Sequence, residues 1–399
     1  MKVLVVHNHY LQPGGEDQVF AAEADLLERH GHEVVRHTAH NSDTARMGKL
    51  ALARTTVWSG AAHSDVQRLL RRERPDVMHV HNTLPLLSPS IYYAAQAERV
   101  PVVQTLHNYR LLCLNALLFR DGRPCEDCVG KAVPLPGVVH ACYRSSRVAS
   151  SVVCGMLTAH NAMGTWKRKV DLFIVLTEAA RQKFVEGGLP ADKLFVKPNF
   201  VYPDSGVGDR RGCYALFVGR LAPEKGIDTL LSAWERLDGR GELKIVGDGP
   251  LADRVRARAA CLPGVEFLGA QPRNRVLAAM RDAAFLVFPS LWPEGFPLVL
   301  AEAMAAGLPV VCSDSGAAAS LVTHRCTGVH FRTGDSTDLA SQLRWVLDRP
   351  AEMRAMGDRA RAVYERDLTA DRNYELLIQA YSTARAARGV AGLRTALVL

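Results

Sequence analysis

Ala215-Leu-Phe-Val-Gly-Arg-Leu-Ala-Pro-Glu-Lys-Gly-Ile-Asp-Thr-Leu-Leu-Ser-Ala-Trp-Glu-Arg236 decides the fold class. An unbroken apolar run, Ala215–Gly219, reads as a buried strand, and Gly226–Arg236 repeats its apolar residues at helical spacing. The same strand–turn–helix unit recurs on both sides. Strands are expected at 3–7, 34–37, 77–81, 102–107 and 172–176, then at 243–247, 265–268, 285–288 and 310–312. Helices are expected near 15–30, 64–72, 88–98, 146–166 and 178–186, then near 252–260, 273–280, 297–306 and 337–347. Strands this continuously hydrophobic need cover on both faces, which doubly wound parallel sheets supply. The expected fold is therefore α/β: two Rossmann-like parallel-sheet domains facing across a cleft. The expected boundaries are 1–200, 201–365 and a helical segment, 366–399, that closes the second domain or crosses back to the first. The joint falls at Lys197–Asp204, where two prolines bracket an extended stretch; 206–212 reads as a mobile polar loop and 384–399 as a loose tail.

The chain of 399 residues, 48% hydrophobic and 23% charged, matches a globular protein of two or three domains and excludes wholesale disorder. Its net charge of +8 is local, because residues 54–169 hold 15 basic against 7 acidic groups. Nucleic acid, phosphorylated ligands and anionic lipid all fit such an excess. A nucleic-acid partner is not expected, since no basic–aromatic motif accompanies the charge. Lys2–His7 already reads as a strand, so no secretory leader is expected. Val148–Trp166 is too polar to span a bilayer. Nine cysteines, an odd number, then favour reduced thiols in the cytoplasm.

Three constellations carry chemistry. Pro13-Gly14-Gly15-Glu16 follows the first strand and opens a helix; paired glycines there allow close approach of an anion to free amides. An ordinary strand–helix turn is the alternative, and it is not the dinucleotide fingerprint. Gly219-Arg220-Leu-Ala-Pro-Glu-Lys225-Gly226 places a forked and a compact cation at the carboxyl edge of a sheet, a pairing suited to a diphosphate. A solvated surface pair neutralised by Glu224 is the alternative. The third, Pro293-Glu294-Gly295-Phe296-Pro297-Leu298 through Glu302 to Val310, sets one carboxylate in a loop and another on the helix that Pro297 begins and Gly307 ends. Two such carboxylates can grip two hydroxyl-bearing rings of one ligand. A hydrolase acid and nucleophile at that separation would leave the cations and the glycine turn without a role.

Together the E-x7-E spacing within EGFPLVLAEAMAAGLPVV, the GRLxxEKG segment and the GG turn resemble family four of the retaining nucleotide-sugar glycosyltransferases, which have the GT-B fold. The likeness is strongest over 213–330 and is clear at 1–30 and around His107. It implies that 1–200 is the acceptor side and 201–365 binds a nucleotide-sugar. It implies that Arg220 and Lys225 hold the donor diphosphate and that Gly14 and Gly15 bring amides to the same phosphates. Glu294, with the amides of Gly295, Phe296 and Leu298 around Pro297, would hold the donor sugar; Glu302 would hold the ribose diol; His107 would face the reacting sugar. Gly247 and its neighbours would border the base. The activity implied is transfer of a sugar from a UDP- or GDP-linked donor to a hydroxyl acceptor with retention, in polysaccharide, glycolipid or glycosylated-metabolite assembly. The resemblance further implies that no cofactor or divalent metal is required.

Alternatives are a GT-B epimerase or phosphorylase, or a non-catalytic nucleotide-sugar binder. Cys113, Cys125, Cys128 and Cys142 are adequate ligands for a structural zinc, and reduced thiols fit them as well. His7, His9, His79 and His81 sit near strand ends as acceptor-side or structural groups. Arg68, Arg71, Arg72 and Arg74 along one segment point to an anionic acceptor, such as a lipid-linked saccharide, or to a peripheral position at the inner face of a membrane; a solvated helix face is the alternative.

Overall fold

The computed structural model describes residues 1–12, 14–208 and 212–396, with side chains described up to 389. Pro13 of the glycine turn, part of the 206–212 loop and the end of the 384–399 segment lie outside the described residues.

The described chain forms two compact units. The first comprises residues 1–118, 126–198 and 373 onward; the second comprises 119–125 and 199–372. Chain order gives strands β1 (Lys2–His9), β2 (Glu33–His40), β3 (Val77–Val80), β4 (Val102–Leu106), a two-residue pair β5 (Phe119–Arg120) and β6 (Arg123–Pro124), then β7 (Leu172–Val175) and β8 (Leu194–Val196). The first unit's sheet runs β2-β1-β3-β4-β7-β8 with every pairing parallel. The second unit holds β9 (Tyr214–Val218), β10 (Glu242–Val246), β11 (Val265–Gly269), β12 (Phe285–Phe288), β13 (Val310–Ser313) and β14 (Gly328–Phe331), in the order β11-β10-β9-β12-β13-β14, again all parallel.

Burial explains the strand composition. Val3, Leu4, Val6, Val77, Met78, Val102 and Val103 are each 0% exposed, as parallel strands covered by helices on both faces require. The second sheet packs Phe217, Ile245, Val287 and Val311 against Leu230 and Trp234 of the helix Ile227–Glu235 and against Leu339 and Leu343 of Ser336–Leu347. The two α/β sheets agree with the fold class that the hydrophobic runs predict.

The differences are local. Each sheet gains a sixth strand, β8 or β14, where no strand is expected. A helix at Lys49–Val57 is also additional. The single helix expected over 146–166 is two, Arg147–Ala162 and Thr165–Lys169, because Gly164 adopts φ +66° between them.

Strand order places the sites. Ligands in open α/β sheets bind beyond the carboxyl ends of the strands where the order reverses. In the second sheet the reversal lies between β9 and β12, the strands that lead to Arg220 and Glu294. In the first it lies between β1 and β3, the strands that lead to Gly14 and His81.

Candidate functional site

In the second unit, three chain segments meet through glycine. Gly247 has φ +151°, and a Cβ there would stand 1.9 Å from the Gly219 carbonyl oxygen. The turn after β10 thereby lies directly on the end of β9, with Leu221 N donating to Asp248 O at 2.8 Å. Lys225 stops short of the next helix. It closes a 3-10 turn, Pro223–Lys225, and Gly226 at φ +69° then begins the turn into Ile227–Glu235. A Cβ on Gly226 would meet the Pro289 carbonyl oxygen at 1.8 Å, so only glycine lets this turn rest on the loop after β12.

That close approach joins Lys225 to Glu294. Lys225 Nζ lies 2.7 Å from Glu294 Oε1, and Ser290 Oγ donates to the same oxygen at 2.9 Å. The ammonium also stands 5.8 Å from the Trp292 ring centroid and 6.0 Å from that of Phe288. Glu294 is buried, and its Oε2 has no hydrogen bond among the described residues. Arg220 is exposed at the end of β9 and makes no ion pair among the described residues. Gly295, Phe296 and Pro297 are buried beside Glu294. Pro297 is the N-cap, with the helix running Leu298–Ala305, so it sits one position earlier than expected. Glu302 on this helix is buried. Burial pushes its carboxyl up from the ordinary range, opposed by Arg273, whose Nη1 is 2.6 Å from Glu302 Oε1.

In the first unit, Gly14 caps the helix Gly15–Arg29, but its amide is already used: it donates to Asp17 Oδ2 at 2.8 Å. The expectation that Gly14 offers a free amide is corrected by this bond. Asp17 Oδ1 meanwhile stands 2.9 Å from His7 Nε2 and 3.1 Å from His9 Nδ1. Burial opposes ionisation of Asp17, yet hydrogen bonds from His7, the Gly14 amide and His9 together hold its carboxyl down at about 2. His107, just past β4, has its Nε2 3.0 Å from His81 Nδ1, with the rings stacked at 5.2 Å. Burial, followed by the charges of His7 and Lys197, pushes the His107 imidazole down to about 3.

Among the described residues, two groups bring three metal-ligating atoms together: His7, His9 and Asp17, and Glu23, His79 and His81. In the first, both imidazoles share one carboxylate oxygen; in the second, Lys197 Nζ lies 2.5 Å from Glu23 Oε1 and supplies the positive charge itself. Cys113, Cys125, Cys128 and Cys142 make no such group among the described residues; Cys113 Sγ contacts Asn115 Oδ1 at 2.9 Å and Cys128 Sγ contacts Pro134 O at 3.8 Å.

The basic segment is largely self-neutralised. Arg68 pairs with Asp65, Arg71 with Glu98 and Arg72 with Glu73, leaving Arg74 exposed at the end of its helix. No helix among the described residues is long and apolar enough to cross a membrane. Ser290, Trp292, Arg273, Asp17, Glu23 and Lys197 are the site neighbours that sequence reasoning missed. Asp17 alone carried a signal, standing three residues after Gly14 as a capping box requires.

Comparison with known proteins gives two family-model matches, Glycosyltransferase Family 4 over residues 13–205 and Glycosyl transferases group 1 over 209–363. Glycogen synthase of Mycobacterium tuberculosis is 30% identical over 324 residues, which cover 78% of this chain and 68% of that protein. Phosphatidyl-myo-inositol mannosyltransferase of Mycobacterium leprae is 30% identical over 296 residues, covering 72% and 68% respectively. Among solved structures, HepE of Anabaena in complex with UDP-glucose superposes with a TM-score of 0.67 at 20% identity, over 96% of this chain and 100% of that one.

Proposed function

This chain belongs to the family-four glycosyltransferases of GT-B type, and from that premise we propose that it moves a sugar from a UDP- or GDP-linked donor to a hydroxyl acceptor with retention of configuration. The observation that carries this reading is the ion pair of half-buried Lys225 with buried Glu294 at the reversal point of the second sheet, where, among the described residues, Glu294 Oε2 is unbonded and Arg220, nearby in sequence, makes no ion pair.

Each group then has a task. Breaking a sugar–diphosphate bond builds negative charge on the departing phosphate. Arg220 and Lys225 meet that charge, and fixed cations are worth most where water is excluded. Lys225 cannot wander, because Glu294 and two aromatic rings hold it. Glu294 divides its labour: Oε1 orients Lys225, and Oε2 accepts hydrogen bonds from donor-sugar hydroxyls. The amides of Gly295, Phe296 and Leu298 add to the grip on the sugar, and Gly247 borders the base. Glu302 receives the ribose diol, with Arg273 setting its orientation. The family resemblance assigns the Gly15 amide to the diphosphate and His107 to the reacting sugar. The departing phosphate takes the acceptor's proton as the hydroxyl attacks from the leaving-group side, so no protein nucleophile is needed.

HepE bound to UDP-glucose supports a uridine nucleotide, and the mannosyltransferase relative supports a lipid or saccharide acceptor. A panel of UDP- and GDP-sugars in thermal shift, followed by turnover with the best of them, tests the reading. A donor at a hundred times its Kd stabilises by about 2.7 kcal/mol. If no nucleotide-sugar raises the transition temperature, the donor assignment is wrong; if Glu294→Ala turns over as fast as wild type, that residue's role is wrong.

A further inference from the structure

Behind His107 lies a charged pair that the proposed reaction leaves unused. Glu23, on the helix Gly15–Arg29, and Lys197, just past β8, are both fully buried, with Nζ 2.5 Å from Oε1. A buried ion pair is costly unless its remaining lone pairs find partners. Among the described residues Glu23 Oε2 has no hydrogen-bond partner, and the ring nitrogens beside it are His81 Nε2 at 3.6 Å and His79 Nδ1 at 3.8 Å. His79 is already satisfied, its Nδ1 on the Tyr381 hydroxyl at 2.9 Å and its Nε2 on Thr105 Oγ1 at 2.8 Å. His81 is not: its Nε2 is buried and unbonded, while its Nδ1 stands 3.0 Å from His107 Nε2.

Electrostatics then selects one arrangement of protons. A bare His81 Nε2 would aim its lone pair at a carboxylate oxygen; an N–H there aims the positive end of its dipole at the same oxygen. With the proton on Nε2, the neutral His81 ring has a bare Nδ1, which accepts from His107 Nε2–H. His107, neutral in turn, keeps a bare Nδ1. Burial holds His81 well below its ordinary value, with the charges of His79, His107, His7 and Lys197 acting in the same direction, so the neutral form persists.

We propose that Lys197 and Glu23 act through His81 as positioning residues, holding His107 with a proton on Nε2 and a bare Nδ1, so that it meets the donor sugar as an acceptor for a hydroxyl and not as a cation for phosphate. The inference deepens the functional reading above and rests on it for the contact with sugar. It assigns specificity: the donor must present a free hydroxyl to Nδ1, and a site built to accept from a hydroxyl discriminates strongly against the deoxy analogue.

Nitrogen-15 NMR of histidine-labelled wild-type protein, recorded without donor, reads the tautomers directly. The expected spectrum shows His81 and His107 neutral, each protonated on Nε2. A proton on His107 Nδ1, or a cationic His107 at neutral pH, overturns the proposal while leaving donor binding intact. Glu23→Gln combined with Lys197→Met removes both charges together, so neither is left buried alone. It should give mixed His107 tautomers and a kcat reduced about tenfold, with the thermal shift caused by UDP unchanged. His81→Gln, whose side-chain oxygen still accepts from His107 Nε2, should recover most of the kcat that His81→Leu loses. Equal rates for those two folded variants also overturn the proposal. Normal turnover by His107→Ala overturns the acceptor role and leaves the tautomer result standing, so the two failures are distinguishable.

Discussion

Lys225 and Glu294 are tied at 2.7 Å, so their contributions are not separable by single substitutions. Glu294→Gln keeps the shape but removes the charge that orients Lys225; Lys225→Met leaves Glu294 buried without its cation. Each should lower kcat/KM for the donor about a hundredfold, in line with losing one fixed electrostatic contact at the reacting phosphate. The double variant should lose far less than the product of the two. Strictly multiplicative losses in steady-state kinetics would show that the pair is not a unit. Asp17 gives a pH signature in the other unit. Its folded value of about 2 lies below its ordinary 3.8, so its contribution to stability is complete above about pH 5 and is lost as pH falls through 2. The difference amounts to about 2 kcal/mol. Thermal melts of wild type and Asp17→Asn should therefore converge on acidification from pH 5 to pH 2, and parallel curves would refute the assignment. The motif residues Arg220, Lys225, Glu294 and Glu302 were legible because their spacing is local. Arg273, 29 residues before Glu302, was not: nothing in the spacing says that two helices bring their side chains within 2.6 Å.

Glycine has opposite consequences in two elements of the fold. Gly226 sits at φ +69° with its missing Cβ facing the Pro289 carbonyl at 1.8 Å, so Gly226→Ala needs both a strained backbone and displacement of the loop that carries Ser290 and Glu294. A destabilisation of about 2–4 kcal/mol and loss of donor turnover are expected. Gly155, exposed within the helix Arg147–Ala162, has an ordinary helical backbone, and a methyl group added there would meet nothing within 4 Å. Gly155→Ala should raise stability by about 0.5–1 kcal/mol through helix propensity and reduced unfolded-state entropy. Chemical denaturation of both variants checks the pair, and a shift of equal sign would remove the geometric argument. Periodicity explains which elements were visible beforehand. Five strands per sheet announced themselves as apolar runs, whereas β8 has only three residues and β14, Gly-Val-His-Phe, is an apolar run interrupted by a histidine. Gly164 breaks a helix by its dihedral angle alone, while the apolar pattern runs on through it.

At the scale of the molecule, chain order and spatial membership differ. The helix Ala370–Ala396 begins in the second unit, yet from Asn373 it belongs to the first. Its inner face is core: Leu377, Ala380, Tyr381 and Ala384 are each 0% exposed. Tyr374 stacks on His30 with ring centroids 3.7 Å apart, and Asn373 Nδ2 donates to Pro198 O at 3.1 Å. Tyr381 also bonds His79, one ring away from the His81–His107 contact. Removing one large buried side chain costs about 3–5 kcal/mol, a large part of the 5–15 kcal/mol that stabilises a typical domain. Tyr381→Ala in the full chain should therefore weaken the first unit by about that amount, and a chain ended after Arg372 should lose the first unit's cooperative fold. The second unit keeps its own sheet and core in both cases. Amide hydrogen exchange separates the outcomes: protection should collapse across β1, β3 and β4 in the shortened chain while β9, β10 and β12 stay protected. Retained protection in both sheets would mean that residues after 372 contribute no core to the first unit. Uniform loss in both would mean that the two sheets unfold as one cooperative body, and the helix would then bear on donor binding as much as on the environment of His107.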